Sequence, residues 1–133
     1  MNEEKDTRWK QRFQNYEKSF LLLKRTLEIE NPSEAEKGGL IQFYEMAFEL
    51  AWKLLKDYLY ELGFDINSPR EAIKQAYQSD IINSGQEWID ALEDRNLTTH
   101  TYDEETAEKV VKSINESYFP LLDELYNRLK NEV

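Results

Sequence analysis

Apolar residues recur along most of this chain at steps of three and four, which is the spacing of one face of an α-helix. The first stripe spans about residues 5–29 and predicts a long amphipathic helix that ends at Asn31 and Pro32. Side chains at this spacing indicate a packed core or interface face rather than a cofactor site. The stripe is aromatic at its start and aliphatic at its end, and its members are Trp9, Phe13, Tyr16, Phe20, Leu23 and Leu27.

A second helix is predicted over about residues 40–62, the most apolar part of the chain. Ser33 and Glu36 have the spacing of a capping box, but two glycines at 38 and 39 follow them, so we expect this helix to begin only after the glycines. Gly63 is its expected C-terminal stop. The apolar arc of this helix is wider than one neighbour can cover, which predicts a central position in the fold.

A short third helix is predicted over residues 69–78. Ser68 is placed as its N-cap, Pro69 as its first residue and Glu71 as a capping-box glutamate. The positions expected to face inward are Ala72, Ile73, Ala76 and Tyr77.

The fourth predicted helix covers about residues 86–99 and the last about residues 104–131. Pro120 lies inside the last helix, where a missing N–H and a crowded preceding turn predict a kink or break near residues 118–120. No segment shows the alternation of a β-strand. The sequence therefore predicts one all-α domain over residues 1–133, an up-and-down helical bundle of four long helices and one short helix.

The composition of the chain limits which cofactors, compartments and partners are expected. The chain has no cysteine and one histidine, too few for a disulfide framework or the usual zinc ligand sets, so we expect no metal and no cofactor. The first residues are charged and no apolar run approaches membrane-spanning length, so a cytoplasmic protein without membrane contact is expected. A net charge of -10 disfavours general coating of nucleic acids, although a small basic cleft stays open.

Residues 95–102, Arg-Asn-Leu-Thr-Thr-His-Thr-Tyr, contain the one histidine, His100. Arginine offers a fork of donors suited to phosphate, and histidine exchanges a proton near neutral pH. On a regular helix Arg95 and His100 would point about 140° apart, so they converge only if the helix loosens or a second copy contributes its own pair. Three β-branched threonines weaken the helix here, and Asp103 has the character of a new N-cap. The motif is thus predicted where one helix ends and the next begins.

The pattern Arg-x4-His-x-Tyr, with Asn96 directly after the arginine and Phe-Glu-Leu-Ala-Trp-Lys at residues 48–53, resembles the HEPN family. The resemblance is to its HepT-type branch of toxins and nucleotidyltransferase substrate-binding proteins. It implies a metal-independent endoribonuclease toxin that acts as a homodimer, with RNA as substrate and a cleft shared between two protomers. Arg95 would then stabilise phosphate charge, His100 would serve as base or leaving-group acid, and Asn96 would hold a phosphate oxygen or orient His100.

The same resemblance implies a partner, a minimal nucleotidyltransferase encoded nearby that attaches AMP to Tyr102 and silences the ribonuclease. The added bulk and negative charge would block the cleft and repel an RNA phosphate. An alternative is a non-catalytic substrate-binding subunit of a nucleotidyltransferase. Both interpretations use the same partner and differ over whether RNA is cut.

Glu49 and Asp94 are candidate supporting residues for this site. Glu49 belongs to a set at helical spacing, Glu45, Glu49, Lys53 and Asp57, for which a solvated face with pairs four residues apart is the simpler interpretation. Non-catalytic interpretations also stay open for the motif: Tyr102 as a core tyrosine, His100 as a capping residue, and Arg95 as a surface residue paired with Glu87, Glu93 or Asp94.

Overall fold

The computed structural model describes residues 3–98 and 103–133, and the side chains of residues 8–95 and 103–133. The prediction of an all-α bundle is confirmed, and none of the described helices is long and apolar enough to cross a membrane. The elements are α1 (Glu3–Leu27), α2 (Glu34–Glu61), α3 (Pro69–Gln78), α4 (Gly85–Thr98), α5 (Glu104–Ser113), a π-helical turn (Ile114–Tyr118) and α6 (Phe119–Lys130).

Helix α2 is the centre of the bundle, as its wide apolar arc predicts. It packs against every other α-helix that the structure describes. The aromatic stripe of α1 is buried, and the ring of Phe20 stacks on Phe119 and Tyr126 of α6 at centroid distances of 5.2 and 4.6 Å. The buried residues of α2 are Leu40, Ile41, Tyr44, Ala47, Phe48, Ala51, Leu54, Leu55, Asp57, Tyr58 and Leu59.

The start of α2 corrects the expectation that the glycines delay the helix until residue 40. Ser33 Oγ accepts the Glu36 N–H at 3.1 Å, and Glu36 Oε1 accepts the Ser33 N–H at 2.8 Å. This capping box satisfies two terminal donors and offsets the cost of the glycines, which is about 1 kcal/mol each. The helix therefore begins at Glu34 and continues through Gly38 and Gly39. Its C-terminal stop at Gly63, where φ is +101°, is as predicted.

Helix α3 has the predicted Ser68 cap, and Ala72, Ile73 and Ala76 are buried. The Glu71 carboxylate, however, accepts the N–H of Asn67 at 2.9 Å rather than that of Ser68. The expectation that Tyr77 faces inward is wrong, because its side chain is 53% exposed and its ring packs against the backbone of Gly85 at the surface.

The irregularity predicted near Pro120 is present as the π-helical turn, which directly precedes α6. The Phe119 N–H donates to the Ile114 carbonyl, five residues back, and Pro120 then occupies the first turn of α6. A π-helical turn is wider than an α-helical one and gives the proline ring room beside the preceding turn, so the chain continues as a helix instead of breaking.

Asp57 shows that the polar set of α2 is not a uniform solvated face. Asp57 is only 6% exposed, and Arg12 Nε of α1 donates to its Oδ2 at 3.0 Å. A buried carboxylate requires such a partner, so this residue ties α1 to α2.

The two kinds of glycine in and after α2 predict opposite responses to alanine. An added Cβ at Gly38 meets nothing within 4 Å, so Gly38→Ala should raise the free energy of unfolding by about 0.5–1 kcal/mol through helix propensity. Gly63→Ala should lower it by about 1 kcal/mol, because a side chain is strained at φ +101°. Urea unfolding of both variants measures the two signs, and equal signs would contradict this account.

Candidate functional site

Arg95 lies near the end of α4 and bonds to α2. Its Nη1 donates to Glu49 Oε2 at 2.7 Å, an ion pair between residues 46 positions apart. The guanidinium carbon also lies 6.0 Å from the centroid of the Phe48 ring, within cation–π range. The pair is only partly exposed, at 24% for the Arg95 side chain and 42% for that of Glu49. Charge-assisted contact at this distance holds the arginine in one orientation.

Trp52 bonds to the same carboxylate oxygen. Its indole Nε1 donates to Glu49 Oε2 at 2.7 Å, and the two residues are three apart on α2, so they lie on one face of the helix. Glu49 therefore joins Arg95 of α4 and Trp52 of α2 into one cluster, here called the Glu49 cluster. Trp52 is half-buried, with its ring packed against the core.

Asp94, the neighbour of Arg95, bonds to a different element. It accepts a hydrogen bond from the hydroxyl of Tyr118, at the end of the π-helical turn, and the Tyr118 ring stacks on Tyr44 of α2 at 5.7 Å. Burial raises the pKa of Asp94, and the negative charges of Asp90 and Glu93 raise it further. Asp94 thus anchors α4 to the π-helical turn.

The rest of the predicted motif is described only in part. Asn96 lies in α4, but its side chain is outside the described residues, as are His100 and Tyr102. Helix α5 begins as predicted, because Asp103 Oδ1 accepts the Thr106 N–H at 2.7 Å. The backbone and side-chain hydrogen bonds from Thr106 lower the pKa of Asp103.

Of the two candidate supporting residues, Glu49 bonds to Arg95, whereas Asp94 bonds to Tyr118. One interpretation of the sequence paired Arg95 with a carboxylate of its own helix, but it bonds to Glu49, which lies on α2. Glu93, one of the partners in that interpretation, instead accepts a hydrogen bond from Arg70 Nη2 at 3.1 Å. The sequence pattern indicated Trp52 as part of the wide apolar arc of the second helix and of residues 48–53, and gave it no role in the site. Its spacing of three from Glu49 was the available signal, since residues at that spacing on a helix are neighbours.

The Glu49 cluster suits binding of an anion beside an aromatic ring. A guanidinium has donors on three nitrogens, so one arginine can hold a carboxylate and a phosphate at once. Among the described residues, no group of His, Cys, Asp or Glu has an arrangement that would hold a metal ion.

The helix order, with an arginine near the end of α4 and the one histidine shortly after it in the sequence, agrees with the HEPN-type bundle that the resemblance implies. The chain belongs to the family described as nucleotidyltransferase substrate binding protein like, whose model matches residues 11–131. The resemblance to the HepT-type branch is thereby confirmed.

Two relatives support this assignment. The chain is 30% identical over 100 residues to the probable ribonuclease HepT of Haemophilus influenzae, with 68% of each chain covered. A crystal structure of a protein from Thermus thermophilus superposes with a TM-score of 0.80 and 31% identity. That match covers 86% of this chain and 98% of the other.

The Glu49 cluster predicts a specific response of one indole N–H. In Glu49→Ala, Trp52 loses a charge-assisted bond, so its indole signal in a ¹H–¹⁵N spectrum should move upfield. The signal of Trp9, which is buried against Tyr58 away from this cluster, should stay in place. The free energy of unfolding should fall by about 0.5–1 kcal/mol, as for a partly exposed ion pair. Glu45→Ala, one turn earlier on α2, is the control. A shift of equal size in Glu45→Ala would contradict the assigned contact.

Proposed function

We propose that this chain is a HEPN-type, metal-independent endoribonuclease, the toxin of a two-component toxin–antitoxin system. The observation that carries the proposal is the fixed guanidinium of Arg95, bonded to Glu49 at 2.7 Å and five residues before His100. The relative named as a probable ribonuclease, which belongs to the same HepT-type branch, supports it. Its compartment would be the cytoplasm, where RNA is available.

The proposed reaction is attack of a ribose 2′-hydroxyl on the adjacent phosphorus. The new P–O bond forms as the bond to the 5′ oxygen of the next nucleotide breaks, leaving a cyclic phosphate and a 5′-hydroxyl. One base removes the proton of the attacking hydroxyl and one acid protonates the departing oxygen. His100 would fill one of these roles, and Arg95 would stabilise the charge that grows on the phosphorane oxygens.

Two protomers would complete the site. A chain with one histidine has one group suited to proton transfer at neutral pH, whereas the reaction moves two protons. In a homodimer that places the two motifs side by side, His100 of each copy would supply one of the two roles. Asn96 would hold a phosphate oxygen or orient His100, with Glu49 and Asp94 as supporting residues.

Regulation would act through Tyr102. A partner minimal nucleotidyltransferase encoded nearby would transfer AMP from ATP to the tyrosine hydroxyl, with release of pyrophosphate. Tyr102 is two residues from His100 in the sequence, so a bulky anion there would fill the cleft and repel the phosphate of RNA.

The second candidate is a non-catalytic substrate-binding subunit of a nucleotidyltransferase. The description of the matched family, nucleotidyltransferase substrate binding protein like, favours this candidate. It requires the same partner but no cleavage of RNA, so cleavage separates the two candidates.

The ribonuclease proposal predicts that His100→Ala and Arg95→Ala each lower the rate of RNA cleavage by about 100-fold or more, with the helical content unchanged. Arg128→Ala is the matched control, because Arg128 of α6 forms an exposed ion pair with Glu132, near the end of that helix. Cleavage of a labelled RNA under single-turnover conditions, without added metal, gives the rates. Parent-like rates in both test variants would show that the assignment is wrong.

The regulatory proposal predicts a mass increase of one AMP when the chain is co-expressed with its transferase, mapped by peptide sequencing to Tyr102. The modified form should lose RNA cleavage, because the added anion blocks the cleft, and Tyr102→Phe should stay unmodified. Tyr77→Phe serves as the control for an exposed tyrosine elsewhere. A stable complex with bare Tyr102 and intact RNA would favour the substrate-binding subunit instead.

A further inference from the structure

We propose that the Glu49 cluster is a binding seat for one unpaired nucleotide, in which the indole face of Trp52 stacks on the base and Arg95 holds the adjacent phosphate. This inference deepens the proposed function, on which it rests for the identity of the polymer as RNA. It assigns to Trp52 a role in selecting single-stranded substrate, and it is called the nucleotide seat below.

The first support is distance. Arg95 Nη1 and Trp52 Nε1 bond to the same oxygen of Glu49, each at 2.7 Å, so the two nitrogens cannot be separated by more than twice that distance. A nucleobase and its phosphate are separated by a single ribose. A phosphate on Arg95 therefore brings its own base within reach of the Trp52 ring.

The second support is exposure. The chain has three tryptophans, all among the described residues, and Trp9 and Trp88 are 3% and 1% exposed. Trp52 differs, because it is only partly buried and packs against the outside of the core. Proteins commonly hold unpaired bases by stacking them on aromatic side chains beside basic residues that contact the backbone, and a partly buried tryptophan next to an arginine offers that combination.

The third support is charge. With a net charge of -10 and a carboxylate bonded to Arg95, the chain offers little of the backbone attraction on which general nucleic-acid binding rests. Stacking on an aromatic ring is available for every base and does not itself require a positive charge. Recognition is thus expected from one well-held nucleotide and not from a long basic track.

Glu49 also fixes the orientation of the ring. The hydrogen bond at the indole N–H restrains rotation of the Trp52 side chain, so less freedom is lost when a base stacks on it. The same carboxylate holds Arg95, and the two halves of the nucleotide seat are therefore organised together before any ligand arrives.

The test uses tryptophan fluorescence of the full chain with a single-stranded octanucleotide that has 2′-deoxyribose and so lacks the attacking hydroxyl. Because the other two tryptophans are buried, we expect saturable quenching from Trp52. A duplex of the same sequence should not quench, since its bases are already stacked. The third ligand in the quenching experiment is AMP. Quenching by AMP at the affinity of the octamer would assign the nucleotide seat to a mononucleotide, and quenching by the octamer alone would assign it to a polynucleotide.

Variants separate stacking from packing. Trp52→Leu keeps an apolar side chain without a π face and should weaken octamer binding about 5- to 150-fold, measured by anisotropy of a labelled octamer. Trp52→Phe keeps a π face but loses the indole N–H bond to Glu49, so its affinity should lie between those of the parent and of Trp52→Leu. Tyr77→Leu removes an aromatic ring that is 53% exposed on α3 and should leave the affinity unchanged. Arg95→Ala should weaken binding and flatten its salt dependence by about one phosphate contact.

The proposal is overturned if the octamer binds without quenching, if Trp52→Leu binds as the parent does, or if neither the octamer nor AMP binds. These outcomes are distinct from failure of the ribonuclease proposal. A chain that cuts RNA but shows no effect of Trp52→Leu rejects the nucleotide seat alone, whereas quenching by the octamer without cleavage of RNA rejects the ribonuclease alone.

Discussion

The packing of α2 is the constraint on which the rest of this structure depends. Every other described α-helix contacts it, so several charged side chains of α2 lie within reach of residues on other helices. Two of its carboxylates are held by arginines of other helices, Asp57 by Arg12 of α1 and Glu49 by Arg95 of α4. Asp57 is only 6% exposed, and a carboxylate withdrawn from water in this way needs such a partner, whereas the Glu49 side chain is 42% exposed. The position of Arg95 thus follows from a charge-assisted hydrogen bond between α4 and α2 at the partly exposed edge of the bundle.

The π-helical turn before α6 contacts the end of α4 that carries Arg95. Pro120 lies in the first turn of α6, directly after the π-helical turn, and Tyr118 is the last residue of that turn. The Tyr118 hydroxyl donates to Asp94, next to Arg95 in the sequence. Helix α4 is therefore held near its end from two sides, by Glu49 of α2 through Arg95 and by the π-helical turn through Asp94.

Sequence reasoning succeeded where the determining interactions are local. The stripe of α1, the Ser68 and Asp103 caps and the stop at Gly63 depend on residues within one or two turns, so spacing and side-chain type were sufficient. The start of α2 was predicted wrongly because two local signals competed, and the Ser33 capping box outweighed the glycines.

The partners of charged residues were harder to predict, because they lie on other helices. Asp57 fits a solvated ladder by spacing alone, and only the position of α1 reveals that Arg12 covers it. The oxygen of Glu49 that Arg95 and Trp52 share likewise requires the packing of α2 against α4.

The net negative charge of the chain is compatible with the proposed cleavage of RNA, because it limits non-specific binding of nucleic acid. A strongly basic ribonuclease would bind any polyanion, whereas a chain of net charge -10 repels nucleic acid except where a specific site compensates. If binding rests on one arginine and one aromatic ring, a single added anion has a large effect on it. AMP on Tyr102 would bring such an anion close in sequence to His100, so the low positive charge of the site would make the proposed silencing more complete than it would be in a basic cleft.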